Sequence, residues 1–257
     1  MCGRYASSRK PEDLIEEFEV VDSRIQRPLE ADYNVAPTKE VYAVVQRPPS
    51  RESDEPPQRQ LRSLRWGLVP SWAKDPSIGN RMINARMETV AEKPAFKRAF
   101  AVRRCLLPAD GYFEWYPTSQ KTKAGKPAKQ PFFIRPADGG ILAMAGLYEI
   151  WRDPTRDPDD TDDPDRFRWT CTVLTTQAED AVGHIHDRMP LMVEPERRAA
   201  WLDPTVSSKD DLLSLLVPAA PGRLEAYPVQ MLVNNVRNNG PELLEPLPLD
   251  TLPVGEG

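Results

Sequence analysis

The chain has 257 residues, 40% of them hydrophobic and 28% charged, the balance of a soluble globular protein of one large or two small domains. No apolar run approaches the ~20 residues of a membrane span, and the start lacks the apolar stretch of a signal peptide, so an intracellular, cytoplasmic protein is expected. The net charge of −5 argues weakly against nucleic acid, and three cysteines and two histidines give neither a disulfide framework nor zinc spacing, so no metal or cofactor is expected.

The chain opens Met1-Cys2-Gly3-Arg4. Methionine aminopeptidases remove Met1 when the next residue is small, so the mature chain would begin with Cys2. A free α-amine and a thiol then sit on neighbouring carbons, with ordinary pKa values near ~8 and ~8.5. The amine can form a Schiff base with an aldehyde, and the thiol can close a thiazolidine ring on it. The thiol can instead attack an amide or ester carbonyl. Taken alone, a chance Cys at position 2 is the commoner explanation.

Twenty-eight prolines cut the rest into short elements, which predicts an α+β fold rich in strand. Leu14, Ile15 and Phe18 form a short apolar helix face. Residues 41–46 alternate into a strand, and residues 46–60 read as a polar loop. Successive strands are expected at 105–108, 112–116, 131–135 and 141–151. Residues 118–129 read as a flexible basic connector, and 153–165 as an acidic tip before a strand at 167–175. The three polar insertions join apolar runs that can pair, so they are expected as hairpin loops. Thr176-Gln177-Ala178-Glu179 fits a capping box that opens a short helix. Pro195 opens another helix over 195–202, residues 208–216 form a third, and 224–229 returns to strand. One domain is expected over residues 1–243, followed by a loose Pro-rich tail at 244–257. Charge is uneven: residues 61–104 hold ten basic side chains against three acidic ones, whereas 152–166 hold seven Asp. Such a basic segment can hold phosphates, although a solvated helix surface explains it as well.

Four segments carry polar residues that a core does not need: residues 2–5, 83–86, 110–115 and 185–190. Glu114 lies among aromatics in a strand-like run. It is either desolvated, with a raised pKa suited to proton transfer, or turned to solvent by alternation. His186 follows a helix and has the side chain best suited to moving protons near neutral pH, or it caps a turn. Asn84 can orient an amine or satisfy a turn. Arg86 can pair a phosphate or a surface carboxylate. Trp72, among basic residues, suits base stacking, though a Trp is more often in a core.

Together these segments resemble the SRAP family (SOS response-associated peptidase-like proteins), which shields abasic sites in single-stranded DNA. The resemblance runs through residues 1–5, Tyr33-Asn34-Val35-Ala36-Pro37-Thr38, Arg65-Trp66-Gly67-Leu68-Val69-Pro70-Ser71-Trp72, residues 83–89, Gly111-Tyr112-Phe113-Glu114-Trp115, residues 185–190 and residues 233–242. It implies one domain with mixed and antiparallel strands in a curved, barrel-like sheet core, flanked by short helices. It implies Cys2 as the nucleophile toward the aldehyde of a ring-opened abasic sugar, and Asn84 as the residue that positions the amine or the sugar. Glu114 would be the general acid/base, also tied to release of the N-terminal residue, and His186 a proton carrier that assists reversal. Arg4, Arg86 and Arg188 would hold phosphates, with Pro37 and Trp72 shaping the DNA path. The implied partner is single-stranded DNA with an abasic site, met by a monomer associated with the nucleoid. Ala73 stands where some members have a second aromatic, so Trp66 is a candidate to share the work of Trp72.

The thiol explains why Cys must be terminal. A Schiff base alone acts as an electron sink and promotes strand breakage; capture by the thiol removes the iminium. The main rival is an N-terminal-nucleophile cysteine amidohydrolase, which also begins Met-Cys-Gly. Here Arg4-Tyr5 replaces a continuing apolar strand, and no synthase domain follows. A protease using Cys2, His186 and Glu114, and a non-enzymatic nucleic-acid-binding module, are further rivals.

Overall fold

An apolar run without alternation needs cover on both faces; residues 142–148 are such a run, and residues 41–45, expected to alternate, are buried on both faces as well. The computed structural model describes residues 2–50, 53–121, 124–157, 159–160, 163, 166–178 and 180–248. Its strands are β1 (Tyr5–Ser7), β2 (Asp22–Ser23), β3 (Asp32–Val35), β4 (Glu40–Arg47), β5 (Gln58–Trp66), β6 (Asn84–Arg86) and β7 (Arg104–Ala109), followed by β8 (Gly111–Lys121), β9 (Pro127–Pro136), β10 (Leu142–Arg152), β11 (Phe167–Gln177), β12 (Arg188–Pro190) and β13 (Leu224–Pro228). The helices are α1 (Pro11–Glu17), α2 (Lys97–Val102), α3 (Asp180–Gly183), α4 (Pro195–Leu202) and α5 (Lys209–Ser214).

The fold is α+β around a closed barrel. Strands β11, β10, β7, β4 and β5 are neighbours in that order. A parallel contact from Thr170 and Cys171 of β11 to Arg65 and Trp66 of β5 closes the ring. Alternate residues then face two cores. Val41, Ala43, Val45, Leu107, Met144 and Val173 share the inner cluster with Cys2, Tyr5 and Tyr112. Tyr42, Val44, Leu106, Ala145 and Leu174 pack outward against Leu14 and Phe18 at α1, Phe100 of α2, Trp201 of α4 and Leu212 of α5. A second sheet, in the order β13-β9-β8-β1-β3, brings the amino terminus onto the barrel. Gly111 permits a close approach there, since a Cβ would meet the Ile134 carbonyl oxygen at 2.5 Å.

Several expectations are corrected. Residues 58–60, expected in a loop, belong to β5, because Gln58, Arg59 and Gln60 pair with Arg47, Gln46 and Val45 of β4; further along, Leu61 packs outward and Leu64 and Trp66 pack inward. Much of the connector at 118–129 is strand, because β8 and β9 pair as far as Lys121 and Pro127. Thr176 and Gln177 end β11, and the helix begins at Asp180; Glu179 lies outside the described residues. The three polar insertions do join antiparallel neighbours: β4–β5, β8–β9 and β10–β11. In the segment expected as a loose tail, the Leu244 carbonyl accepts the Tyr227 hydroxyl at 3.0 Å, and the Leu247 amide donates to Pro228 at 2.9 Å.

Arg104 is buried and stitches two helices to the barrel. It donates to the carbonyls of Trp201, Phe100, Ala101, Asp203 and Val206. Burial pulls its pKa down to about 10. Arg104→Met removes the donors and strands several carbonyls, so a loss of at least about 3 kcal/mol in a urea melt is expected. A change under about 0.5 kcal/mol, the size of an ordinary surface substitution, would refute that role.

Candidate active site at the amino terminus

Strand β1 fixes the site. Tyr5 pairs with Val35 on one side and Tyr112 on the other, and the Phe113 amide donates to the Arg4 carbonyl at 2.9 Å. The chain just before β1 therefore runs into the protein, and Cys2 is fully buried in the inner cluster. Burial, and after it the negative charge of Glu114, push the Cys2 thiol far above its ordinary pKa. The thiol is thus protonated at neutral pH in this environment.

Asn84 arrives on β6, which pairs in parallel with β11 at Val173. Its Nδ2 donates to the Cys2 carbonyl at 2.7 Å. Its Oδ1 is buried without a hydrogen-bond partner among the described residues, an arrangement that costs about 1–3 kcal/mol unless something donates to it. The Tyr112 hydroxyl is in the same condition, and Cys2 and Glu114 add to burial in raising its pKa.

Glu114 lies two residues beyond Tyr112 on β8, so both face the inner cluster, whereas Phe113 and Trp115 pack on the other side. Glu114 is 3% exposed. Burial raises its pKa, with partial opposition from His186. His186 Nε2 lies 4.0 Å from Glu114 Oε2. Its Nδ1 is 2.9 Å from both the Arg188 amide nitrogen and Asp187 Oδ1. The first contact needs a bare Nδ1 and the second a protonated one, so they exclude each other. The amide contact is the stronger constraint, because the Asp187 carboxylate is 86% exposed and solvated. A neutral ring then carries its proton on Nε2, toward Glu114.

The residues expected at DNA divide by environment. Trp72 is 59% exposed, and Arg86 is exposed, near enough to Glu88 to lower its pKa but forming no hydrogen bond or ion pair among the described residues. The Trp72 loop shares a frame with the Asn84 strand. Trp66 Nε1 donates to the Ile83 carbonyl at 2.9 Å, the Leu68 amide donates to Met82, and a Cβ on Gly67 (φ 127°) would meet the Gly79 carbonyl oxygen at 2.7 Å. Pro37 is half-buried in a turn whose next residue, Thr38, has φ 78°. The other two arginines are engaged within the protein. Arg188 forms a bidentate pair with Glu88, at 2.5 and 3.0 Å, and also donates to the Thr175 carbonyl. Arg4 donates to Asn34 Oδ1 at 2.7 Å and to the Val233 carbonyl at 3.0 Å. Trp66 is fully buried, so it cannot share base stacking with Trp72.

Tyr112 and Asn34, expected in no role, complete the site. Tyr112 was legible as the strand-parity mate of Glu114. Asn34, fully buried, donates to the carbonyls of Val233, Asn235 and Asn238, and nothing in the sequence signals that reach.

Residues 1–236 match the family described as SOS response associated peptidase (SRAP). The chain belongs to this family. It is 38% identical over 245 residues to the abasic site processing protein YoqW of Bacillus subtilis, covering 95% of this chain and 99% of that one. It is 33% identical over 256 residues to the abasic site processing protein YedK of Escherichia coli, covering 96% and 100%. A crystal structure of a Bacteroides thetaiotaomicron protein shares the SRAP fold with a TM-score of 0.75 at 25% identity, covering 96% of this chain and 100% of that one.

Proposed function

We propose that this protein binds single-stranded DNA and covalently captures abasic sites through Cys2 once Met1 is gone. The observation that carries the reading is the convergence of Asn84, Glu114 and Tyr112 on a buried amino-terminal Cys. Relatives named as abasic site processing proteins support it from outside the structure.

In this reading the Cys2 amine attacks the C1′ aldehyde of the ring-opened sugar. Glu114, whose pKa burial raises, gives a proton to the departing hydroxyl, and water leaves as the iminium forms. The Cys2 sulfur then adds to the iminium carbon, and its proton passes to the Glu114 carboxylate. One water is lost overall, and the thiazolidine leaves no electron sink to drive β-elimination. Asn84 holds the Cys2 carbonyl with its amide nitrogen and offers Oδ1 to the amine. His186 tunes Glu114 and carries protons on reversal. Arg86 and Trp72 meet the DNA directly, and Pro37 shapes its path. Arg188 exchanges Glu88 for a phosphate, and Arg4 contributes positive charge from behind Asn34. The protein acts as a monomer. The family's description as a peptidase fits hydrolysis of the Met1–Cys2 bond by the same residues.

Intact-mass measurement of the complex with an abasic oligonucleotide tests this reading. The expected mass is that of the Met1-free protein plus the oligonucleotide less one water. Attachment at a lysine, or glutamine hydrolysis without any adduct, would favour a different chemistry; the latter is the amidohydrolase alternative. Asn84→Ala is expected to slow capture about tenfold, the equivalent of one hydrogen bond of about 1.4 kcal/mol, as measured by the single-turnover rate of adduct formation.

A further inference from the structure

The mouth of the barrel away from Cys2 carries a second concentration of charge. Trp169 faces the interior there, four residues before Val173, the residue that pairs with Asn84. Four residues of strand span about 13 Å, so this mouth is separate from the Cys2 site. The Tyr148 ring stacks on Trp169 at 5.7 Å. The guanidinium groups of Arg62 and Arg47 lie 4.2 and 4.9 Å from the Trp169 ring centre. Two adjoining cavities, of about 370 and 650 Å³, share Arg62, Phe167 and Trp169 in their walls.

The charge balance around these cavities is one-sided. Arg24, Arg103, Arg156 and Arg168 are each paired with a carboxylate. Arg27, Arg47, Arg62 and Arg65 form no ion pair among the described residues; Asp22, which pairs with Arg24, also attracts Arg62. Arg47 Nη1 is buried without a hydrogen-bond partner among the described residues. Facing these four cations, Glu40 is the one carboxylate on the cavity walls among the described residues, and it already accepts the Ser63 hydroxyl at 3.1 Å. Burial, and after it Arg47 and Arg24, pull the Arg62 pKa down to about 10.

A cavity with several uncompensated guanidinium forks on an aromatic floor suits tetrahedral oxyanions that accept several N–H bonds at once. We infer that this mouth is a second binding site for phosphate groups, formed by Arg27, Arg47, Arg62 and Arg65 around Trp169. The phosphates belong either to a nucleic-acid strand or to a small free ligand. In the first case, the site adds affinity for DNA without touching a lesion.

The test uses the full chain and needs no covalent capture, so failure of the Cys2 chemistry leaves it readable. Inorganic phosphate, and separately a lesion-free oligothymidylate, are titrated into wild-type protein while the indole N–H signals are followed by NMR. Trp169→Phe assigns the relevant signal among the six tryptophans. In parallel, oligothymidylate affinity is measured against salt for wild type and for the triple variant Arg27→Gln, Arg47→Gln, Arg65→Gln. Shift of the Trp169 signal by both ligands, with the log–log salt slope falling by about 2 in the variant (about 0.7 for each lost single-strand contact), supports a site for DNA backbone. Shift by phosphate alone supports a small phosphate ligand. A Trp169 signal unmoved by either ligand overturns the proposal, whatever the fold of the variant.

Discussion

Cys2→Ser is expected to abolish any DNA adduct that survives denaturation and to replace it with strand breakage at the lesion. Serine is small enough for Met1 removal and keeps the α-amine, so condensation with the aldehyde can still occur. What is lost is the soft nucleophile that discharges the iminium. The iminium then acidifies the neighbouring C2′ hydrogen, and the strand is eliminated. Denaturing electrophoresis of a labelled abasic oligonucleotide reads both products, and borohydride traps the Schiff base as a stable amine. A serine variant that protects the strand as well as wild type would show that sulfur is not the protecting group. Burial sharpens this expectation. The Cys2 thiol is held above its ordinary pKa by desolvation and by Glu114, so the amine reacts first and the thiol second.

Glu114→Gln is expected to slow adduct formation by about 10²–10⁴-fold, the usual contribution of a positioned acid–base group. The same substitution is expected to stabilise the fold at neutral pH. The folded-state pKa of Glu114 is raised by burial. The buried carboxyl therefore favours the protonated form, and stability is fully present below the ordinary glutamate pKa and lost as pH rises through the raised value. Gln carries no such cost. Thermal melts across pH are thus expected to show the variant more stable than wild type above the raised pKa, with the difference vanishing in acid. A less active, more stable variant is the signature of a group kept for chemistry. Loss of stability at neutral pH would instead make Glu114 a structural residue.

The sequence made some of this legible and hid the rest for identifiable reasons. Cys2 could be read because a terminal 1,2-aminothiol has chemistry of its own. The strands β4 and β10 could be read because short apolar runs stand there between polar, turn-prone segments. The orientation of Glu114 could not, because both parities of β8 are apolar: Tyr112 faces the inner cluster, and Phe113 and Trp115 face Phe133, Val229 and Val233. Alternation decides a face only when one face is wet. The meeting of Asn84 with Cys2 depends on the parallel pairing of β6 with β11, a contact across many residues with no local signal. Composition also misled at 118–129, where polar side chains read as loop although backbone pairing continues. Trp66 and Trp72 looked alike in sequence. Strand parity with Leu64 buries the first, and the anchored loop leaves the second exposed. The arginines show the same limit. Arg86 stays exposed, whereas Arg188 finds Glu88, a residue 100 positions away.

The most direct test of the central claim is a denaturing-gel assay with wild type and Cys2→Ala, each verified to lack Met1. A single-stranded oligonucleotide bearing one uracil is supplied with or without uracil-DNA glycosylase. The account predicts a shifted band, stable to denaturation, only when wild-type Cys2 and the abasic site are both present. No such band with wild type, or an equal band with Cys2→Ala, would contradict it.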